Sequence, residues 1–207
     1  MSGIIAQNSG RHTGLVKAAS GGGDAVWNLI ETLTSDGSDN DLSFTSGIDS
    51  TYDEYVFKWI NIHPETNVTE FQFNLSTDGG SNYNVAKTAT HFISYHVEDD
   101  DYAGVGYETG WDSAQSTDFQ TLGIDVDSGN DECISGSLHL FNPSSDVFIK
   151  HFIARTIYAG GNDPTYDVAI DGYIAGYGNT TSAVDSVQFK FSADEIQGGS
   201  ISLYGIS

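Results

Sequence analysis

The sequence predicts an all-β protein, an antiparallel two-sheet β-sandwich of jelly-roll type. Large apolar residues recur at every second position in many short runs, the period of a strand whose side chains alternate between two faces. Clusters of Gly, Asn, Asp and Ser separate about ten such runs, roughly every 8–15 residues, as turns do in sandwiches. No run of useful length has the 3.6-residue period of a helix. An immunoglobulin-like order of the strands is the alternative.

The composition divides the chain of 207 residues at Asp24. Residues 1–23 contain two basic and no acidic residues, whereas residues 24–207 contain five basic and 29 acidic residues, a formal charge of −24. The first segment predicts an extended Gly-rich arm and the second a single sandwich domain. An ordered arm of this kind needs a partner, most simply a neighbouring subunit; folding back onto its own acidic body is the alternative. The arm residues expected to make this contact are Ile4, Ile5, Arg11, Leu15, Val16 and Lys17.

The first strand is predicted over residues 25–34, with Trp27, Leu29 and Leu33 on one side. A short strand over residues 42–45 follows a turn rich in Asp, Ser and Gly. Residues 52–83 then predict a β-hairpin with one aromatic face, because large apolar side chains alternate on both arms around a Pro-containing turn. These inward side chains are Tyr55, Phe57, Trp59, Phe71, Phe73 and Leu75.

This aromatic run cannot be stable alone. Six large apolar side chains contribute about 10–15 kcal/mol when buried. Ordering about 30 residues costs roughly 1–2 kcal/mol each in backbone entropy. The aromatic face must therefore be covered by a second sheet.

The remaining runs predict strands over residues 91–97, 134–140, 147–158, 168–177, 187–191 and 201–206. In the run 147–158, one face is shared by Val147, Ile149, His151, Ile153, Arg155 and Ile157. The stretch 98–117 between the first two runs is predicted as a long acidic loop, with one helical turn over 112–117.

The net charge of −22 disfavours nucleic acid as a partner, because an acidic surface repels phosphates. The N-terminus lacks the basic start and apolar run of a signal peptide, and no run of 18 apolar residues predicts a membrane span. Cys133 is the single cysteine, so the sequence gives no sign of a disulfide scaffold. We expect synthesis in a cytoplasm and no membrane partner.

Few residues suggest chemistry. The clusters Asp36, Asp39, Asp41 and Asp125, Asp127, Asp131 resemble calcium loops but lack the full ligand spacing, so solvated turns are the favoured interpretation. His139 and His151 flank a turn symmetrically and would face each other across a hairpin, yet two histidines are a weak zinc signal. No nucleophile elbow or phosphate loop occurs. The sequence therefore predicts no enzyme, no catalytic residue, no cofactor and no metal.

Three aromatic residues lie in the acidic loop among Asp, Gly and Ser. Tyr102, Tyr107 and Trp111 could stack on sugar rings and form a glycan contact. The competing interpretation is that they cover the end of the sandwich, because large aromatic side chains usually bury.

Several stretches together resemble virion structural proteins of tailed bacteriophages, especially marine phages. They are residues 10–17, 42–49, 76–83, 139–145, 180–183 and 201–206, which read GRHTGLVK, LSFTSGID, STDGGSNY, HLFNPSS, TTSA and ISLYGI. The resemblance spans nearly the whole chain but lies in turns and strand ends. It implies where the protein is found, on a virion, and it identifies no catalytic residue.

The resemblance implies a β-sandwich displayed on the virion: a non-enzymatic capsid decoration or fibre subunit anchored by its N-terminal arm. The expected partners are copies of the same chain, with a trimer as one arrangement, and other virion proteins. The alternative function is a receptor- or glycan-binding module of a tail fibre or tail tip, using a host-surface glycan.

Overall fold

The computed structural model describes residues 26–160 and 168–207, which form thirteen strands and no helix. The strands are β1 (Trp27–Thr34), β2 (Leu42–Phe44), β3 (Glu54–Pro64), β4 (Thr69–Ser76), β5 (Lys87–Val97), β6 (Ala103–Tyr107), β7 (Ser113–Ser116), β8 (Gln120–Val126), β9 (Ile134–Phe141), β10 (Lys150–Gly160), β11 (Val168–Gly178), β12 (Ser186–Phe191) and β13 (Ile196–Ile206). The predicted arm of residues 1–23, with its six contact residues, lies outside the described residues and stays a prediction.

Every strand pair is antiparallel, which confirms the all-β class. The pairing path runs β1-β13-β3-β9-β10-β8-β4-β12-β2, and β11, β5, β6 and β7 branch from β10. Strands β10 and β8 are joined by one residue pair, Gly160 with Val126. One further bridge, Asp39 with Ile196, connects the stretch before β2 to β13. The sheet is therefore nearly closed.

The alternation predicted for the aromatic run is confirmed, but the predicted hairpin is wrong. All six inward side chains are fully buried. Strand β3, however, pairs with β13 and β9, whereas β4 pairs with β8 and β12. The rings of Trp59 and Phe71 lie 5.6 Å apart across the core. Each arm thus covers the aromatic face of the other, which a hairpin would have left uncovered.

The centre of the core is Phe189 on β12. Its ring lies 5.3 to 6.4 Å from five other rings contributed by β2, β3 and β4, namely Phe44, Phe57, Trp59, Phe71 and Phe73. A further edge-to-face pair, Phe73 with Phe152, brings β10 into the same cluster. One apolar core therefore joins strands from distant parts of the chain.

Two other predicted elements differ from the structure. In β1 a bulge between Leu29 and Glu31 reverses the alternation, so Trp27 and Leu29 are exposed while Ile30 and Leu33 pack on the core. The stretch 98–117, predicted as a loop with one helical turn, contains the strands β6 and β7, and both pair with β5. Strand β8 is not among the predicted strands. It is buried on both faces, so its sequence lacks the alternation of apolar and polar residues that predicts a strand with one exposed face.

Two lysines are fully buried at the same end of the sheet. Lys87 on β5 and Lys150 on β10 both pair with Gly178 of β11. Lys87 Nζ donates to Asn74 Oδ1 at 2.6 Å and to the Val85 carbonyl at 2.9 Å. Burial lowers the pKa of Lys87 to about 7, with Asp118 acting in the opposite direction. Nothing in the sequence pattern distinguishes these lysines from exposed ones.

Candidate functional site

One broad sheet face carries an unusual number of exposed apolar side chains. We call it the outer face: the outward side chains of β3, β9, β10, β11 and β5. Ile60, Phe92, Ile153 and Ile157 on this face are 40–53 % exposed. Because β3, β9, β10, β11 and β5 are successive hydrogen-bonded neighbours, these side chains form one surface. The register of β3 with β9 shifts between Trp59 and Ile62, beside Ile60. The predicted shared face is confirmed for His151, Ile153, Arg155 and Ile157, which lie on the solvent side of β10. Val147 and Ile149, predicted on the same face, lie instead in the connection before β10.

A shallow groove of about 510 Å³ crosses the outer face. Its walls are β3 and β10, and its floor is the intervening strand β9. We call it the Lys58–Arg155 groove; the residues that line it are Lys58, Trp59, Ile60, Ser135, Gly136, Ser137, Arg155, Thr156, Ile157 and Asp171. Gly136 is required in the floor, because a Cβ there would lie 2.3 Å from the Arg155 carbonyl oxygen.

Arg155 is held in place on the groove wall. Its Nε and Nη2 donate to Asp171 Oδ1 and Oδ2 at 3.0 and 2.7 Å. The guanidinium lies 5.0 Å from the centre of the Tyr173 ring, which stacks on Phe92 at 4.9 Å. The hydrogen bond from Arg155 lowers the pKa of Asp171. The groove wall is therefore preorganised by an ion pair and a cation–π contact.

A second groove of about 830 Å³ lies toward the other end of the outer face. We call it the Tyr107–Tyr177 groove. Aromatic side chains and hydroxyls line it, and the residues used below are Thr88, Tyr107, Asp112, Phe141, His151 and Tyr177. Aromatic faces with nearby polar groups are suited to sugar rings.

The three aromatic residues predicted to contact a glycan do not lie together in one site. Tyr107 lines the Tyr107–Tyr177 groove and donates to Asp112 Oδ2 at 2.8 Å. Tyr102 is exposed and packs edge-to-face on Tyr95. Trp111 packs against the core and donates from Nε1 to Glu70 at 2.9 Å. Trp111 therefore covers the core, as the competing interpretation expected.

The aspartates of the first predicted calcium loop take part in local turns. Asp36 Oδ1 accepts hydrogen bonds from the backbone and side chain of Ser38, which lower its pKa. Asp39 accepts from the Asp36 amide, and Asp41 accepts from Ser43. Across residues 26–160 and 168–207, no group of three or more His, Cys, Asp or Glu side chains is arranged to hold a metal ion.

The predicted pairing of His139 with His151 is wrong. Strands β9 and β10 pair His139 with Ile153, so the two histidines are out of register. His139 Nδ1 lies 2.6 Å from Glu54 Oε1, and the His151 ring packs on Tyr177. Residues 142–149 form the connection, and β10 begins at Lys150. The turn is therefore not centred on the midpoint between the two histidines.

His91 is a further titratable group of the interior, in addition to Lys87 and Lys150. It is fully buried, and neither ring nitrogen has a hydrogen-bond partner in the described part of the chain. Burial lowers the pKa of His91 to about 4, with the Trp111 carbonyl, Asp112 and Glu70 acting in the opposite direction. A neutral His91 is therefore part of the folded state at neutral pH.

His91 should make the fold sensitive to acid. Its pKa is lower when folded than the ordinary 6.5, so between these values the unfolded chain binds the extra proton and stability falls as the pH falls. We expect this group alone to remove about 3 kcal/mol between pH 7 and pH 4. Urea unfolding of the parent and of His91→Gln at four pH values measures it. Parallel curves for the two proteins would show that His91 is protonated within the fold.

Cys133 is half-buried, and burial raises the pKa of its thiol, which disfavours the reactive thiolate. No helix among the described residues is long and apolar enough to cross a membrane.

Comparison of the chain with family models, with curated proteins and with solved structures found no match.

Proposed function

We propose that this chain is a non-enzymatic structural subunit of a virion, a capsid decoration or fibre subunit that works as a homo-oligomer. The observation that supports this proposal best is the outer face. Four large apolar side chains lie 40–53 % exposed on a regular, hydrogen-bonded sheet. Such a surface is suited to packing against another protein.

The charge distribution supports packing through this face. The chain has a formal charge of −22, so most surfaces of two copies repel each other. The Lys58–Arg155 groove on this face instead combines Lys58 and Arg155 with the carboxylate of Asp171 and neutral side chains. Contact through it avoids the repulsion that other faces would cause.

The finer fold we propose is a two-layer jelly-roll-like sandwich. Strands β8, β4, β12 and β2 would form one layer and the remaining strands the other. Its support is the set of ring contacts between unpaired strands, such as Phe57 with Phe189 and Phe73 with Phe152. One residue pair joins the two groups of strands at β10 and β8.

A receptor-binding module of a tail fibre is the second candidate function. The Tyr107–Tyr177 groove favours it, because Tyr107, Phe141 and Tyr177 line one groove with Thr88 and Asp112. In this case a host-surface glycan would stack on the aromatic rings and donate hydroxyl hydrogen bonds to the carboxylate.

The virion proposal is tested on purified particles. Antibody-gold labelling in electron microscopy should place the full-length chain on every particle. A chain starting at Asp24 should keep its β-sheet circular dichroism spectrum but be lost from particles, because we propose that residues 1–23 anchor it. Particles without label, from cells that contain the protein, would contradict the virion role. Normal incorporation of the shortened chain would contradict only the anchor.

Binding of Tyr107→Ala and parent to a glycan array tests the second candidate.

A further inference from the structure

The Lys58–Arg155 groove has a repeated arrangement of side chains across its three strands. At one level Ser137 on the floor pairs with Lys58 on one side and Arg155 on the other. At the next level Ser135 pairs with Ile157 and accepts a hydrogen bond from the Asn61 amide, beside Ile60. Two cations thus flank one serine, and two isoleucines flank the other.

The groove collects scarce positive charge. Five of the seven basic residues lie in the described part of the chain. Lys87 and Lys150 are buried, and Lys190 lies over the Phe119 ring. The other two basic residues, Lys58 and Arg155, line this groove together.

These groups are available to a ligand. Asp171 pairs with Arg155 and offsets one of the two charges, so the groove has a net charge of about +1. The side chains of Lys58 and Ser137 form no hydrogen bond or ion pair with any described residue. Together with Arg155 Nη1, which also has no acceptor among those residues, they can bind one carboxylate.

The dimensions leave room for one peptide segment. Strands β3 and β10 lie on either side of β9, so the groove walls are roughly 9–10 Å apart. The cation level and the isoleucine level are two residues apart, or roughly 6.6 Å along a strand. A segment matches both levels if its acidic side chain and an apolar side chain two positions later project about this far apart.

The acidic surroundings determine the direction of such a segment. Glu98 and Asp131 lie beyond Ile157, where they line the adjoining surface depression with it. A carboxylate at the isoleucine level would be repelled by them. The acid must therefore lie between Lys58 and Arg155, and the apolar side chain between Ile60 and Ile157.

The connection between β9 and β10 presents such a segment. Asp146 is exposed, and its carboxylate has no hydrogen bond to any described residue. Val147 and Phe148 are 64 % and 67 % exposed. Asp100 and Tyr102 have the same spacing, but they contact His96 and Tyr95.

The same segment is held rigid as a turn. Ser145 Oγ accepts from the amides of Val147 and Phe148 at 3.2 and 3.0 Å. The buried Lys150 donates to the carbonyls of Ser145 and Phe148 at 2.7 and 2.6 Å. Exposed apolar side chains on a preorganised loop lose little entropy on binding.

We propose that the Lys58–Arg155 groove binds the Asp146–Phe148 loop of a second copy of this chain. The Asp146 carboxylate would contact Lys58, Ser137 and Arg155, and Phe148 would lie between the two isoleucines. A loop cannot reach its own groove, because Lys150 and Ile157 are already roughly 23 Å apart along β10. The proposal deepens the homo-oligomeric role proposed above and rests on it.

The contact joins two different patches of the surface. Two copies can exchange loops reciprocally and close as a dimer, or each copy can bind the next and form a ring or a fibre. In both cases every copy uses the same pair of sites, so one set of variants tests the contact.

A charge exchange between the two sites is the decisive experiment. Sedimentation of the full chain at several concentrations in low salt measures the self-association constant. We expect Lys58→Asp and Asp146→Lys to weaken association at least tenfold each. The double variant should recover to within about threefold of the parent, because it restores the opposite charges in reverse order. The matched control, Lys190→Asp, makes the same charge change on another surface and should associate like the parent.

Phe148→Ser tests the apolar half without changing charge near Lys150. We expect at least tenfold weaker association with an unchanged circular dichroism spectrum. A parent chain that stays monomeric at millimolar concentration would overturn the proposal, as would single variants that associate like the parent or a double variant that does not recover. Binding of polygalacturonate to the groove of such a monomer would assign it to an acidic glycan instead. The labelling of particles tests the virion role separately, since a labelled particle is compatible with failure of this contact.

Discussion

Replacing Phe189 by alanine is expected to lower the free energy of unfolding by about 3–5 kcal/mol, the usual cost of removing a buried aromatic ring. Phe189 is fully buried, and its ring contacts five other rings from three strands. Two of these strands, β2 and β4, pair with β12 itself, whereas β3 pairs with β13 and β9. Because the neighbouring rings are held by separate strand pairings, they can close only part of the cavity. Urea unfolding monitored by circular dichroism measures the change.

Val105→Ala is the matched control for this substitution. Val105 lies on the short strand β6 and is 76 % exposed. We expect a change within about 0.5 kcal/mol, as for other surface substitutions. A loss below about 1 kcal/mol for Phe189→Ala would show that the ring cluster is not the centre of the core.

Replacing Asn74 by leucine is expected to cost about 3–5 kcal/mol for a different reason. Asn74 is fully buried, and its Oδ1 accepts from Lys87 Nζ at 2.6 Å. Its Nδ2 donates to the carbonyls of Tyr83 and Thr117 at 2.7 and 3.0 Å. Leucine has a similar size, but it leaves the Lys87 ammonium and the two carbonyls without the hydrogen bonds that the Asn74 amide provides.

The double variant Asn74→Leu with Lys87→Met separates polar pairing from packing. It removes both members of the hydrogen bond between Asn74 and Lys87. We therefore expect its loss of unfolding free energy to be smaller than the sum of the losses of the two single variants by at least about 1 kcal/mol. Strict additivity in urea unfolding would show that the two side chains act independently. A cost below about 1 kcal/mol for Asn74→Leu alone would mean that water replaces its amide.

The two buried lysines also bear on the surface of the protein. In a chain with seven basic and 29 acidic residues, Lys87 and Lys150 place two basic side chains in the interior. Both bind backbone carbonyls of the connections at one end of the sheet. Their burial leaves the outer surface still more acidic, so Lys58 and Arg155 in one groove stand out more strongly.

Part of the candidate site follows from the sequence. Alternation along residues 147–158 places Ile153, Arg155 and Ile157 on one face. It does not show which face is exposed, because Lys150 lies on the opposite face of the same strand and is buried. Lys58 and Ile60 likewise alternate with the inward rings of Tyr55, Phe57 and Trp59. What no local pattern contains is that β9 lies between these two runs, because strand order depends on contacts between residues far apart in sequence.

The sequence by itself determined the all-β class and the inward faces of β3 and β4. The physical reason is that successive side chains of a strand point to opposite faces. Large apolar residues at every second position therefore identify the buried face from the sequence alone. The tertiary structure decided the partners of those strands, the bulge that turned Trp27 and Leu29 outward, and the burial of Lys87 and His91. These features depend on which surfaces meet across the core, and identical local patterns can be covered by a neighbouring strand or by a distant one.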